Sequence, residues 1–231
     1  RPGHLPSSVM NFLIVYLHGE RAGLLDQEDG EPLRFIYDSA WLAKPDAIPL
    51  SRSLPLQPEA FSAKKTRPFF AGLLPEEEPR KIVAKVLGIS AANDFAMLER
   101  IGGECAGAVQ LLPAERDANA PAALLPRELS GPELAQIVAE LPRRPLLAGR
   151  DGLRLSLAGA QDKLPVLIRD GRTYLPLDDT PSSHILKPEP ARFSGLAANE
   201  WFSLALARAV GLDAPAAEFR IIGETPCLLV A

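Results

Sequence analysis

Three features in the second half of the chain have the residue types and order needed to grip a phosphate. They are the small-residue turn Ala158-Gly159-Ala160 inside Arg154-Leu-Ser-Leu-Ala-Gly-Ala-Gln-Asp-Lys163, the lysine at 187 and the glutamate at 200. Side chains this small let a backbone bend sharply and bring its N–H groups against phosphate oxygens. A single glycine matches neither the Walker pattern nor the dinucleotide fingerprint, so by itself the turn reads first as an ordinary hairpin bend. Lys187 could be a cation for phosphates, or its ammonium could simply reach solvent from a strand end. Glu200 could orient that lysine, or only complement the start of its own helix. Gln161, Asp162 and Lys163 close the loop as turn residues, with Lys163 a candidate second phosphate contact. Ser156, just before the turn, reads as a strand serine that hydrogen-bonds the loop.

The elements that must position these groups follow from periodicity. Leu153 to Leu157 alternates apolar and polar residues and Leu164 to Ile168 is nearly all apolar, so both read as strands with the turn between them. Asp170-Gly171 makes a hairpin, Tyr174 begins a short strand, and Ser183 to Lys187 forms another that ends before Pro188. Ala197 to Val210 carries helix formers with Gly211 as a stop signal, which places Glu200 in the first turn. A small-residue loop, a lysine on a later strand and a glutamate on the following helix are the nucleotide-gripping parts of a protein-kinase-like N-lobe. Trp201 and Phe202 at the helix start are expected in the core, His184 in packing and His18 on a hairpin surface.

The first half reads as a separate sheet with helices. Residues 1–8 form a loose tail; Met10 to His18 and Arg21 to Leu25 form a hairpin about Gly19-Glu20, and Leu33 to Tyr37 adds a third strand. Prolines 45, 49, 55 and 58 keep the next stretch extended. Phe69 to Leu74 is a short apolar segment. Glu76 to Leu87 has its acids first and its lysines last, an order that suits the helix dipole. Asn93-Asp94 caps a helix over Phe95 to Ile101, Gly102-Gly103 stops it, and residues 107–112 resume as a strand. Pro113 to Pro126 reads as a connector, and Ser130-Gly-Pro-Glu133 as a capping box that starts a helix through Leu141. The fold class is therefore α+β. The expected units are a subdomain at 9–112, a connector with one helix at 113–150, and the kinase-like lobe at 151–231.

Composition narrows the function classes. The chain has 231 residues, 47% hydrophobic and 23% charged, ordinary for a globular protein. Its net charge of −4 argues against a broad nucleic-acid-binding face, which needs a surplus of Lys and Arg. Cys105 and Cys227 lie far apart without metal-ligand spacing, so buried reduced thiols are expected, with no disulfide framework and no zinc site. With no apolar run near eighteen residues and no signal-peptide pattern, the chain reads as cytoplasmic.

Three segments, Leu155-Ser-Leu-Ala-Gly-Ala-Gln-Asp-Lys-Leu164, Ser183-His-Ile-Leu-Lys-Pro188, and Asn199-Glu-Trp-Phe202 followed by Leu206-Ala-Arg-Ala-Val-Gly-Leu212, resemble the HipA family of toxin–antitoxin serine/threonine kinases. The family usually has Glu-Lys after Ala-Gly-Ala-Gln, where this chain keeps the charge with Asp162-Lys163. Val15-Tyr-Leu-His-Gly19, Leu33-Arg-Phe-Ile-Tyr-Asp38, Leu73-Leu-Pro-Glu76 and Gly107-Ala-Val-Gln110 resemble the small domain that precedes the kinase lobe in that family. The likeness thus covers nearly the whole chain.

The resemblance implies an ATP- and Mg2+-dependent kinase toxin. Its ATP contacts would come from Ala158, Gly159, Ala160, Gln161, Lys163, Lys187 and Glu200. Its protein substrate would belong to the translation machinery, such as an aminoacyl-tRNA synthetase, and its partner would be a DNA-binding antitoxin of the HipB type. It also implies that Ser156 can be phosphorylated, which drives the loop out of the nucleotide site. The catalytic Asp and the Asn and Asp for Mg2+ lie on a helical C-terminal lobe in this family, so they are expected beyond Ala231, and these residues alone are expected to phosphorylate nothing. The alternative is a non-catalytic module that holds an antitoxin or a separately made kinase domain.

Overall fold

The computed structural model describes residues 11–27, 33–105, 109–113, 125–149, 155–156, 158–177 and 180–231. The tail expected at 1–8 and most of the connector expected at Pro113 to Pro126 lie outside the described residues. What is described mixes helices with antiparallel sheets and has two hydrophobic cores.

The first core is built on a four-stranded antiparallel sheet of β1 (Asn11–Leu17), β2 (Glu20–Gln27), β3 (Arg34–Tyr37) and β5 (Val109–Pro113), in the order β3-β2-β1-β5. Alternation along β1 buries Leu13, Val15 and Leu17 beneath helices α2 (Ala63–Ala71), α3 (Glu77–Leu87) and α4 (Asp94–Ile101). Phe35, Tyr37, Phe61 and Phe70 meet there with ring centroids 4.8–6.1 Å apart. Tyr37 donates its hydroxyl to Leu54 O at 2.6 Å and accepts from Leu50 N at 2.8 Å, so one buried hydroxyl pins the proline-rich stretch to the sheet. Burial pushes the Tyr37 phenol up from its ordinary pKa, and the Leu50 hydrogen bond only partly offsets that.

Two helices in this half depart from expectation. Residues 39–42 form a one-turn helix, α1, with Trp41 buried, and α2 begins well before the apolar segment expected at Phe69. Pro68 lies inside α2, and an interior proline removes a hydrogen bond at a cost of about 3 kcal/mol. Burial of Phe70 and of Thr66, whose hydroxyl donates to Phe61 O at 3.2 Å, offsets that loss in the folded chain. Asn93 caps α4 as expected, its Oδ1 accepting from Ala96 N at 3.0 Å. The residue after it, Asp94, is 4% exposed and takes two arginines: Arg67 Nε donates to Oδ2 at 2.7 Å, and Arg80 donates to Oδ1.

The second core lies under a six-stranded antiparallel sheet. It contains β6 (Arg127–Glu128), β8 (Leu164–Arg169), β9 (Arg172–Leu175), β10 (His184–Pro188), β11 (Ala217–Ile222) and β12 (Thr225–Val230), in the order β11-β12-β10-β8-β9-β6. Helix α5 (Gly131–Glu140) opens with the capping box read from sequence. Ser130 Oγ accepts from Glu133 N, and Ser130 N donates to Glu133 Oε2 at 2.9 Å. Ser130 and Arg127 hold the Glu133 carboxyl down to about 2. Leu129, Ile137, Val138 and Leu141 enter the second core, so this stretch is packed into the second sheet's layer and is not a free spacer.

Helix α6 (Leu196–Ala209) packs on β11 and β12 and carries Glu200. Trp201 and Phe202, expected in the core, are instead 42% and 60% exposed. Ala197 is the only residue of α6 that is fully buried among those described. A helix with apolar residues on most sides can turn only one side inward; here that side carries Leu196, Ala197, Glu200, Leu204 and Ala207, which leaves Trp201 and Phe202 outside.

Candidate functional site

The turn at 158–163 lies where the two halves meet, and the backbone ties it to both. On its N-terminal side, β7 (Leu155–Ser156) pairs in parallel with β4 (Glu104–Cys105) of the first half, with Ser156 opposite Cys105. The backbone of Ser156 is described and its side chain is not. Gly159 itself forms a parallel bridge with Pro75. Farther on, Gln161 Nε2 donates to Pro188 O at 3.3 Å, which joins the turn to the end of β10.

Gly159 has φ +102, a conformation that side chains rarely adopt, and a Cβ placed there would stand 2.8 Å from Lys163 Nζ. That ammonium is folded back into the turn and donates to Ala158 O. The positive φ is what demands glycine here, since the flexible lysine tip could move aside. Gly159→Ala is expected to cost about 1–3 kcal/mol of local strain. It should also loosen the turn, seen as faster hydrogen exchange at residues 158–163 than in the unmodified chain; unchanged exchange would contradict this account.

Lys187 comes from β10, where alternation buries Leu186 and Pro188 in the sheet and turns the intervening lysine toward α6. Lys187 Nζ lies 2.6 Å from Glu200 Oε1, and the two side chains are 24% and 31% exposed. Glu189, two residues on, accepts from Ala197 N at 3.0 Å and so fastens the first turn of α6 to the end of β10. Sequence reading passed over Glu189, which lies too far ahead of the helix start for a local signal to announce it.

The electrostatics link the lysines. Lys163 is pushed below its ordinary pKa, first by burial and then by the nearby charge of Lys187, while Glu76, Asp162 and Glu200 push back. Burial likewise raises the Asp162 carboxyl, opposed by Lys163. Two ammonium groups thus share one region with the Gly159 turn, the geometry suited to a polyanion. Ala160 is exposed at the tip of the turn. His184 stands apart, its Nδ1 2.7 Å from Ser183 Oγ. Among the described residues no group of three or more His, Cys, Asp or Glu gathers as metal ligands. None of the described helices is long and apolar enough to cross a membrane.

Comparison with known proteins bears on the family and the fold. Two family models match the chain, the HipA N-terminal domain over residues 13–112 and the HipA-like C-terminal domain over residues 155–231. The chain is 46% identical over 221 residues to the putative kinase Y4mE of Sinorhizobium fredii, covering 94% of this chain and 53% of that protein. It is 30% identical over 199 residues to the serine/threonine-protein kinase toxin HipA of Shewanella oneidensis, covering 84% of this chain and 43% of that one. A solved structure of the Shewanella oneidensis HipA, HipB and operator DNA complex contains a similar chain, with a TM-score of 0.76 at 25% identity over 94% of this chain and 50% of that one. The chain spans about half the length of the curated relatives it matches.

Proposed function

The chain belongs to the HipA family, and on that premise we propose that it forms the nucleotide-gripping part of an ATP-dependent serine/threonine protein kinase. The observation that carries the reading is the Lys187–Glu200 pair at 2.6 Å beside a glycine turn that holds a second lysine. In this reading residues 151–231 correspond to a kinase-like N-lobe, with residues 9–112 as the preceding subdomain.

The parts divide the work by charge and shape. ATP supplies the phosphoryl group to be transferred. Backbone N–H groups of Ala158, Gly159 and Ala160 would meet phosphate oxygens, because no side chain stands in their way at Gly159. Lys187 would neutralise phosphate charge, held in place by Glu200. Lys163 would swing from Ala158 O to a phosphate, and Gln161 would fix the turn to β10. The described residues offer no carboxylate set suited to magnesium, so no step is assigned to a metal through them. The catalytic base and the magnesium ligands are placed in a further lobe of the kind that the family has.

Ser156 is proposed as the regulatory phosphorylation site. A dianion beside β7 would repel the nucleotide's phosphates and load the strand that leads into the turn. A protein of the translation machinery such as an aminoacyl-tRNA synthetase is proposed as substrate, a HipB-type antitoxin as partner, and the cytoplasm as location. Titration with a fluorescent ATP analogue tests the reading. Saturable binding that ATP displaces and adenosine does not is expected, weakened at least about tenfold when Ser156 carries phosphate. No saturable binding would sink the nucleotide reading, and equal affinity with phosphoserine would sink the switch.

A second reading has an observation of its own. Phe193, Trp201, Phe202, Leu206, Val210 and Leu212 are each 42–66% exposed on and around α6, more apolar surface than a self-sufficient helix presents. A non-catalytic module that holds an antitoxin or a separately made kinase domain through this face would account for it. Partner capture without any nucleotide response would favour that reading over the first.

A further inference from the structure

The strand β11 ends one side of the second sheet, and among the described residues no strand pairs with its outer side. Its pairing with β12 runs unbroken from Ala217↔Val230 to Ile222↔Thr225, about the two-residue hairpin Gly223-Glu224. In such a hairpin the closing residues form a hydrogen-bonded pair, and the pairs then alternate along the ladder. The bond from Ala231 N to Ala216 O at 2.9 Å keeps that alternation. Glu218, Arg220 and Ile222 therefore direct their backbone groups at β12. Ala217, Phe219 and Ile221 turn theirs outward.

Natural sheets protect an open edge with lysine, proline or a bulge. Between Ala217 and Ile222 there is none of these. Instead Phe219 is 39% exposed and Ile221 60%. Both lie on the α6 side of the sheet: Phe219 stands opposite Leu228, Leu228 stands opposite Lys187, and Lys187 reaches Glu200 of α6. On α6 itself, Phe202, Leu206 and Val210 form one exposed apolar row at four-residue spacing.

The edge is complementary to itself. An antiparallel copy, turned about a two-fold axis through Phe219, sets Phe219 against Phe219, Ala217 against Ile221 and Glu218 against Arg220. The axis repeats each off-centre pair, so acid meets base on both sides of it. Moving the axis one residue either way sets Glu218 or Arg220 against its own copy, like charge against like. Within one copy Arg220 Nη2 donates to Glu218 Oε2 at 2.6 Å, and the two side chains are 35% and 65% exposed, within reach of a neighbouring strand.

We propose that β11 is an interface for a second copy of this chain, paired antiparallel in the register centred on Phe219. Ala217, Phe219 and Ile221 exchange their outward N–H and C=O groups with the partner strand, and the two sheets become one. The same axis brings both α6 helices to one side of the joined sheet, where Phe219 and Ile221 are covered between them. The pairing needs no nucleotide, so it stands apart from the phosphate grip.

Sedimentation equilibrium over a concentration series compares the unmodified chain with Glu218→Arg, Arg220→Glu and the double exchange of both. The unmodified chain is expected to show a monomer–dimer equilibrium. Each single reversal puts like charges opposite each other on both sides of the axis and is expected to weaken the dimer about tenfold or more. The double exchange restores both attractive pairs and should return the dimer to within about threefold of the unmodified chain. Hydrogen exchange reads the register: the Phe219 and Ile221 amides should slow as concentration rises, while the Arg220 and Ile222 amides are protected at every concentration. A chain that is still monomeric at about 0.1 mM, above the micromolar range of weak protein interfaces, overturns the proposal. So does a dimer that the single reversals leave unchanged, or one that the double exchange fails to restore, since association then runs through another face. Where a variant does not fold, the unmodified chain decides alone: exchange at Phe219 and Ile221 that is independent of concentration overturns the pairing.

Discussion

Lys187→Ala is expected to weaken ATP binding by about 10- to 100-fold, the range that follows from losing a hydrogen bond to a charged group worth about 1.5–3 kcal/mol. The direction is set by what the substitution leaves behind. Lys187 and Glu200 are both partly sheltered and 2.6 Å apart, so removing the ammonium leaves a carboxylate facing the phosphates with no counter-charge. Glu200→Gln should cost less, because the lysine stays charged and only loses its orienting partner. Neither change touches the second core, and the thermal midpoint should move by only a few degrees. Equal ATP affinity in the unmodified chain and Lys187→Ala would remove the phosphate role from this residue.

Asp94→Ala is expected to lower the unfolding free energy by about 3 kcal/mol, at the low end of the range for breaking a buried pair. Asp94 is 4% exposed and is satisfied by Arg67 and Arg80, whose side chains are 64% and 19% exposed. Arg67 can turn to water once its partner is gone. Arg80 cannot do so as easily, and its remaining bond, from Nε to Ala91 O at 2.8 Å, compensates only part of its charge. Asp94→Asn keeps one acceptor oxygen and should fall between the two. Urea unfolding measures both changes, and a loss under about 0.5 kcal/mol for alanine would mean that the two arginines are solvated well enough to do without the acid.

These two residues fail in different ways because their surroundings differ. Asp94 sits in the first half among groups that hold α2, α3 and α4 together, so its loss is felt as stability. Lys187 lies near the end of β10, whose packing is done by Leu186 and Pro188, so its loss is expected to show in ATP titration and not in stability. The second core survives either change, since Leu164, Val166, Leu186 and Leu229 keep their partners.

What could be read along the chain was whatever repeats locally. The apolar run Leu164 to Ile168 marked β8, the Ser130–Glu133 capping box marked the start of α5, and Asp170-Gly171 marked a turn, each within a few residues of its place. The same local logic put Lys187 on a strand and Glu200 one turn into a helix, and their order suggested the pair that is observed at 2.6 Å. Tertiary structure decided the rest. Phe69 to Leu74 read as a short apolar segment, but α2 runs from Ala63 through Pro68 with Phe70 buried; Trp201 and Phe202 looked like core, but the side of α6 that turns inward carries Leu196, Ala197, Glu200, Leu204 and Ala207. Nothing local announces that Pro75 bridges Gly159 across 84 positions, or that Cys105 lies opposite Ser156. Periodicity records which side of an element is apolar and is silent about which distant backbone will meet it, so the sequence could order the turn, Lys187 and Glu200 along the chain while only the folded chain could set Pro75 against Gly159.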